Sequence, residues 1–338
     1  MLFKSSTFIS SILWRLNKNY QKIPRLNGYI LHSIRKCEFL WQEFVYLIKF
    51  NIPGDGRLSQ LYTMEVIEQY ISSKTRRPSD CEDSIFVSDN FAAVIDGVTS
   101  KSTRKYNEVS PGKACSQLLK KALADLPITS TAKQAVEFLT SAVYTLYTNP
   151  GLEEQFIHLP AERASACIVI YSSYRNEIWM VGDCQCMVDG RQYSNTKYSD
   201  TLLSDIRSLY IHTELKLGKS YEDIRAKDTG REFILPLLEC QSLFQNSAEK
   251  NEFSYGVIDG YQVPEREIKV INLSDPTCIV LASDGYPCLF ETLDQSEKYL
   301  KKMLKKDPLC IQEFKTTKGL LPGNLSFDDR AYLRLSLT

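Results

Sequence analysis

Five acidic positions in the sequence share one local setting. Glu82-Asp83 stands before an apolar run. Asp96-Gly97 closes AAVIDGV, Asp183 closes the apolar part of WMVGDCQC, Asp284-Gly285 closes that of IVLASDGYP, and Asp328-Asp329 opens FDDRAYL. Short apolar runs bounded by turn residues predict strands, so each acid is placed at a strand terminus. Strand ends of one sheet assembly can converge on a common rim. Carboxylates gathered there repel one another and are tolerated together mainly when a cation neutralises them. An all-oxygen donor set selects hard ions, so Mg2+ or Mn2+ is expected in preference to zinc or copper. Glycine after Asp96 and Asp284 lets the backbone come close, so that its carbonyl can also serve as a ligand. Taken singly, a D-G is often a turn and a D-D often a cap. The expectation rests on their joint occurrence.

Other chemistries are poorly supported. The ten cysteines form no framework, and the nearest pair, Cys184 and Cys186, is spaced so that both point the same way along a strand. With no C-x-x-C pair, they read as free thiols in a reducing compartment, the cytoplasm. His32, His158 and His212 are far apart and not at zinc-ligand spacing. Lysine plus arginine (41) equal aspartate plus glutamate (41), which gives no global case for nucleic-acid binding. No apolar run is long enough to predict a transmembrane helix.

The elements that must hold these acids alternate between hairpins and helices. Ser84–Ser88 and Phe91–Asp96 predict a hairpin turning at Asp89-Asn90, two residues that tolerate positive φ. Ser110-Pro111 predicts a helix start, a capping residue followed by proline at the first helical position. A second helix is expected near Thr131–Thr148. Ala164–Ser173 and Glu177–Asp183 predict another hairpin, which Cys184–Val188 continues as a meander to the turn at Asp189-Gly190. Residues 202–227 and 231–245 read as helical or mixed, Thr277–Ala282 as a buried strand, Asp294–Lys306 as a helix and Arg330–Leu337 as a closing strand. Antiparallel strands with segregated helices give an α+β class, with layers rather than a doubly wound parallel sheet.

In that order and at compatible spacing, CED, IDGV, VGDC, ASDG and FDDR resemble the metal-dependent protein phosphatases, the type 2C serine/threonine family, over about residues 64–338. The resemblance implies two antiparallel sheets packed face to face with helices outside, an α-β-β-α sandwich. It implies one metal held by Glu82, Asp96 and the Gly97 carbonyl, a second by Asp96, Asp284 and Asp328, and a weaker third by Asp183 with Asp284. It implies hydrolysis of phosphate monoesters, above all phosphoserine or phosphothreonine in a protein substrate, by a water activated between two Mn2+ or Mg2+ ions without a covalent phosphoenzyme. Asp96 and a phosphate-binding arginine would then be the catalytic residues. The family's arginine lies four residues before the glutamate, where this chain has Pro78; Arg77 is the expected clamp through a small insertion, with Arg76 as the fallback. After Asp-Gly the chain reads Val98-Thr99-Ser100, so no histidine acid is expected there. Alternatives are a silent regulatory or binding domain of the same fold, or a phosphatase of a small phosphorylated metabolite. Retention of four mutually repelling ligand carboxylates argues against silence.

Residues 1–60 differ from the rest, with nine Lys/Arg against three Asp/Glu, a net of +6 that leaves −6 for the remainder. The segment 1–63 is expected to be a basic extension, peripheral or lying upstream of a functional start at Met64. Its Leu40–Ile52 stretch could form an amphipathic helix on the core or on a membrane surface. A transit-like role is the lesser alternative. Residues 199–261 correspond to the family's variable flap, in which Asp228, Arg231 and Glu232 are either contacts to substrate or the third metal, or ordinary surface charges.

Overall fold

The computed structural model describes residues 63–99, 101, 104–106, 108–147 and 152–338. The basic segment 1–63, Thr63 apart, and its Leu40–Ile52 stretch lie outside the described residues, as does Ser100. The chain forms β1 (Met64–Ser72), β2 (Ser84–Val87), β3 (Phe91–Gly97), α1 (Pro111–Ala122), α2 (Ala132–Tyr144), α3 (Leu152–His158), β4 (Ala166–Ser172), β5 (Glu177–Val181), β6 (Gln185–Val188), β7 (Arg191–Tyr193), α4 (Tyr198–Lys216), α5 (Tyr221–Lys227), α6 (Thr229–Cys240), β8 (Lys269–Asn272), β9 (Cys278–Ala282), α7 (Leu293–Lys306) and β10 (Arg330–Leu337). Two five-stranded antiparallel sheets result, in the orders β1-β10-β9-β6-β7 and β2-β3-β4-β5-β8.

Strand alternation builds the layers. In β3, Ala92 and Val94 point between the sheets, where they join Val169, Met180, Leu281 and Leu333. Phe91, Ala93 and Ile95 point outward onto Leu119 of α1 and Leu139 of α2. Side chains of a strand alternate faces with period two, so this one run serves both cores. The α1 start follows the expected chemistry: Ser110 caps the helix by accepting from the Lys113 amide, with Pro111 in first place. No helix among the described residues is long and apolar enough to cross a membrane.

Three local expectations differ from the structure. The first hairpin exists, but Asp89 and Asn90 lack positive φ; instead the Ser88 hydroxyl accepts from the Phe91 amide at 3.1 Å and closes the turn. Cys184–Val188 does not continue the meander, because β6 leaves the sheet of β5 and pairs with β9 and β7 in the other sheet. The switch is at Gly182, whose φ is +82° and where a Cβ would sit 2.2 Å from the Cys167 sulfur. Only glycine fits such a position, and the turn leaves Asp183 between the two sheets. Finally β1, β7, β8 and α3 add elements that the apolar pattern left unassigned.

Candidate metal centre

The same alternation aims the acids. Following Ala92 and Val94, Asp96 falls on the face between the sheets, at its rim. Ser283 follows Ile279 and Leu281 on the inner face of β9, and Asp329 precedes Ala331 and Leu333 on that of β10. Asp83 stands two residues before the inward Ile85 and accepts from Ser283 Oγ at 2.7 Å. Gly97 permits a close approach here, but to protein: a Cβ would lie 2.5 Å from the Gly112 carbonyl oxygen and 2.6 Å from that of Glu82.

Asp96, Asp183 and Asp284 come together, with one carboxylate oxygen from each within 4.8 Å of the others. Lys197 Nζ lies 2.7 Å from Asp183. Glu82 and Asp328 stand in a neighbouring group built around Lys74, whose ammonium is 3.4 Å from Glu82, 3.5 Å from Asp328 and 3.4 Å from Asp329. Lys318 also pairs with Asp328. Glu82 accepts from Thr99 at 3.0 Å and from Ser110, the cap of α1. Asp329 is almost fully buried and accepts from the amides of Lys74 at 2.6 Å and Glu82 at 3.0 Å, so it fixes the segment that carries Glu82. The structure places Arg77 at the surface, its side chain 78% exposed and paired with Asp80 at 2.9 Å; Arg76 is exposed too. The short turn Pro78–Asp80 directs this arginine away from the carboxylates.

The cluster has an excess of negative charge. Burial, and then the charges of Asp83, Asp328 and Asp183, push the Asp96 carboxyl well above the usual range. Burial and the nearby Asp96 and Asp328 do the same to Asp284. Burial raises Asp83 against its bond from Ser283. Burial also opposes charge at Asp183 and Asp328, but Lys197 holds the first below its ordinary value, and Lys318 with Lys74 the second. Carboxylates outnumber the ammoniums paired with them here. Asp83 Oδ1 is buried without a hydrogen-bond partner. Oxygen donors, surplus charge and an orphaned acceptor suit hard divalent cations.

These acids open into a cleft of about 680 Å³, lined by Asp96, Asp183 and Asp284 together with Lys101, Arg231 and Lys318. Asp83, Asp329 and the lysines escaped the sequence reading as site residues. The alternation from Ile85 and Ala331 could have placed the two acids inward; the lysines lie on loops with no periodic signal.

No protein-family model matches the sequence, and no curated protein matches it. Solved structures that match include the catalytic domain of the serine/threonine phosphatase PstP in complex with two manganese ions, at 14% identity over 82% of this chain and 99% of that one, TM-score 0.41. RsbX in complex with magnesium matches at 12% identity over 82% and 100%, TM-score 0.39. The serine/threonine phosphatase Stp1 from Staphylococcus aureus matches at 12% identity over 85% and 100%, TM-score 0.39.

Proposed function

We propose that this protein is a metal-dependent phosphatase that hydrolyses phosphate monoesters, with phosphoserine or phosphothreonine in proteins as substrate. The observation that carries the reading is the convergence of Asp96, Asp183 and Asp284 in an open cleft whose remaining lining includes cations. On the family pattern, Glu82, Asp96 and the Gly97 carbonyl would hold one ion, Asp96, Asp284 and Asp328 a second, and Asp183 with Asp284 a weaker third. Bound there, Mn2+ or Mg2+ supplies Lewis acidity towards phosphoryl oxygens and acidifies a water. The chain itself supplies orientation. Asp329 holds the Glu82 segment, the cap Ser110 holds the Glu82 carboxylate, and strand β3 holds Asp96. Neither described histidine, His158 or His212, is part of the cleft lining.

Hydrolysis of a chromogenic aryl phosphate is expected to require Mn2+ or Mg2+ and to stop in excess chelator, and a phosphopeptide panel then defines the substrate. Full activity in chelator, or a burst of covalent phosphoenzyme, would sink this reading. A silent binding domain is favoured by one observation: the Lys74 ammonium already bridges Glu82, Asp328 and Asp329. Calorimetry separates the two, since the enzyme binds two Mn2+ ions tightly and the silent domain binds none.

We also propose that the basic segment before Met64 is dispensable, because every acid of the centre lies beyond it. A chain beginning at Met64 is expected to be soluble and to keep its turnover. An insoluble product would place part of the segment in the core.

A further inference from the structure

We propose that the flap supplies the anion-binding wall of the cleft: the Arg231 guanidinium, assisted by the Lys101 ammonium, receives the phosphoryl oxygens of a phosphate monoester in place of Arg77. The inference rests on the phosphatase reading for its substrate, but its chemistry is that of phosphate binding alone.

The cations of the cleft separate into two groups. Lys197 is committed to Asp183, Lys318 to Asp328 and Lys315 to Asp205. Among the described residues, Lys101 and Arg231 line the same cleft with no carboxylate in ion-pair contact. Arg231 is aimed by one bond to a neutral partner, Nη1 to the Thr317 carbonyl at 3.0 Å, which leaves the rest of its fork for a ligand. Its backbone is fixed as well, since the Arg231 amide donates to Asp228, the residue that caps α6, at 3.2 Å. A planar guanidinium matches two phosphate oxygens at once, and a lysine beside it adds charge without directional demand. Burial is the main cause that brings the Lys101 ammonium down to about 8; the neighbouring cations Lys197, Arg231 and Lys318 add to it, against Asp200. Arg77, by contrast, has its guanidinium occupied by Asp80 at the surface. Cations and an acidic cluster lining one cleft give the polarity a phosphate ester needs, since its anionic oxygens and the ions that neutralise the carboxylates then meet in one space.

The test measures binding of inorganic phosphate to the full chain in Mn2+ by calorimetry, beside KM for aryl phosphate. Arg231→Ala is expected to weaken phosphate binding by about tenfold or more and to raise KM, while Mn2+ affinity and melting temperature stay near wild type. Arg231→Lys should recover part of the loss, Lys101→Met should show a smaller loss in the same direction, and Arg77→Ala should change nothing. Loss of phosphate affinity in Arg77→Ala with retention in Arg231→Ala overturns the proposal, as does a wild-type protein that binds no phosphate. A protein that binds phosphate through Arg231 but hydrolyses no ester upholds the anion wall and removes the phosphatase reading.

Discussion

Replacing Asp96 by asparagine is expected to abolish tight Mn2+ binding and to cut turnover by about a thousandfold or more, while making the metal-free protein more stable. Asp96 ends β3 on the inner face and lies among Asp83, Asp183, Asp284 and Asp328. As the proposed bridge it would serve both ions, so its loss removes a ligand from each. The stability gain has the opposite origin. Burial and the surrounding acids raise the Asp96 carboxyl in the folded state. A group whose folded pKa is raised adds stability below its unfolded value, about 4, and loses it as pH rises, so at neutral pH the acid is a burden that asparagine lacks. A rise of a few degrees in Tm, shrinking towards about pH 4, is the expected result. Asp183→Asn should behave in reverse. Lys197 holds Asp183 below its ordinary value, so the wild-type pair adds stability above the unfolded pKa that is lost as pH falls. That variant should lose stability at neutral pH and keep two tightly bound ions with reduced turnover. Wild-type activity in Asp96→Asn would remove the metal centre from the account.

The parts of this centre that were legible in the sequence are the short apolar runs with acids at their ends. Phe91–Gly97 and Cys278–Ala282 are apolar on both faces because helices or loops cover what the second sheet does not, Arg330–Leu337 alternates with Ala331, Leu333, Leu335 and Leu337 inward, and the ends of all three carry the acids. The edge strand β1 was not legible, since Val66, Ile67 and Ile71 are all exposed and a register irregularity between Val66 and Glu68 breaks its alternation. The passage from β5 to β6 looks continuous in sequence because both strands are apolar; the change of sheet depends on one positive φ at Gly182. Counting residues placed Arg77 near the glutamate, but the turn at Pro78–Asp80 decides its direction. Lys74, Lys197 and Lys318 carry no signal of their own. Each matters only through the acids it meets, which range from Asp200, three residues from Lys197, to Asp329, 255 residues from Lys74.

Arg207→Ala is expected to cost about 3–5 kcal/mol, a large share of a domain's usual margin of about 5–15 kcal/mol. Arg207 of α4 has no exposed side-chain surface. Its Nε and Nη2 donate to Asp228 Oδ1 at 3.0 and 2.8 Å, and Nη1 donates to the carbonyls of Cys310 and Thr316 at 3.3 and 3.1 Å. Asp228 in turn accepts from the Gly319 amide at 2.7 Å, in a left-handed conformation at φ +45° that starts α6. Removing the arginine leaves a buried carboxylate without its cation and two carbonyls without donors, which is the expensive way to break a buried pair. Replacing both partners by uncharged residues, Arg207→Met with Asp228→Asn, removes the charge together with its counter-charge, keeps a side chain that suits the left-handed cap, and should be milder than Arg207→Met alone, a coupling that a double-mutant cycle reads directly. The pair also orients the turn that carries Arg231, so the single variant, assayed at a temperature where it remains folded, should show a raised KM with Mn2+ affinity retained. Urea unfolding checks the stability, and an Arg207→Ala protein within about 1 kcal/mol of wild type would mean that water, and not the buried ion pair, satisfies Asp228.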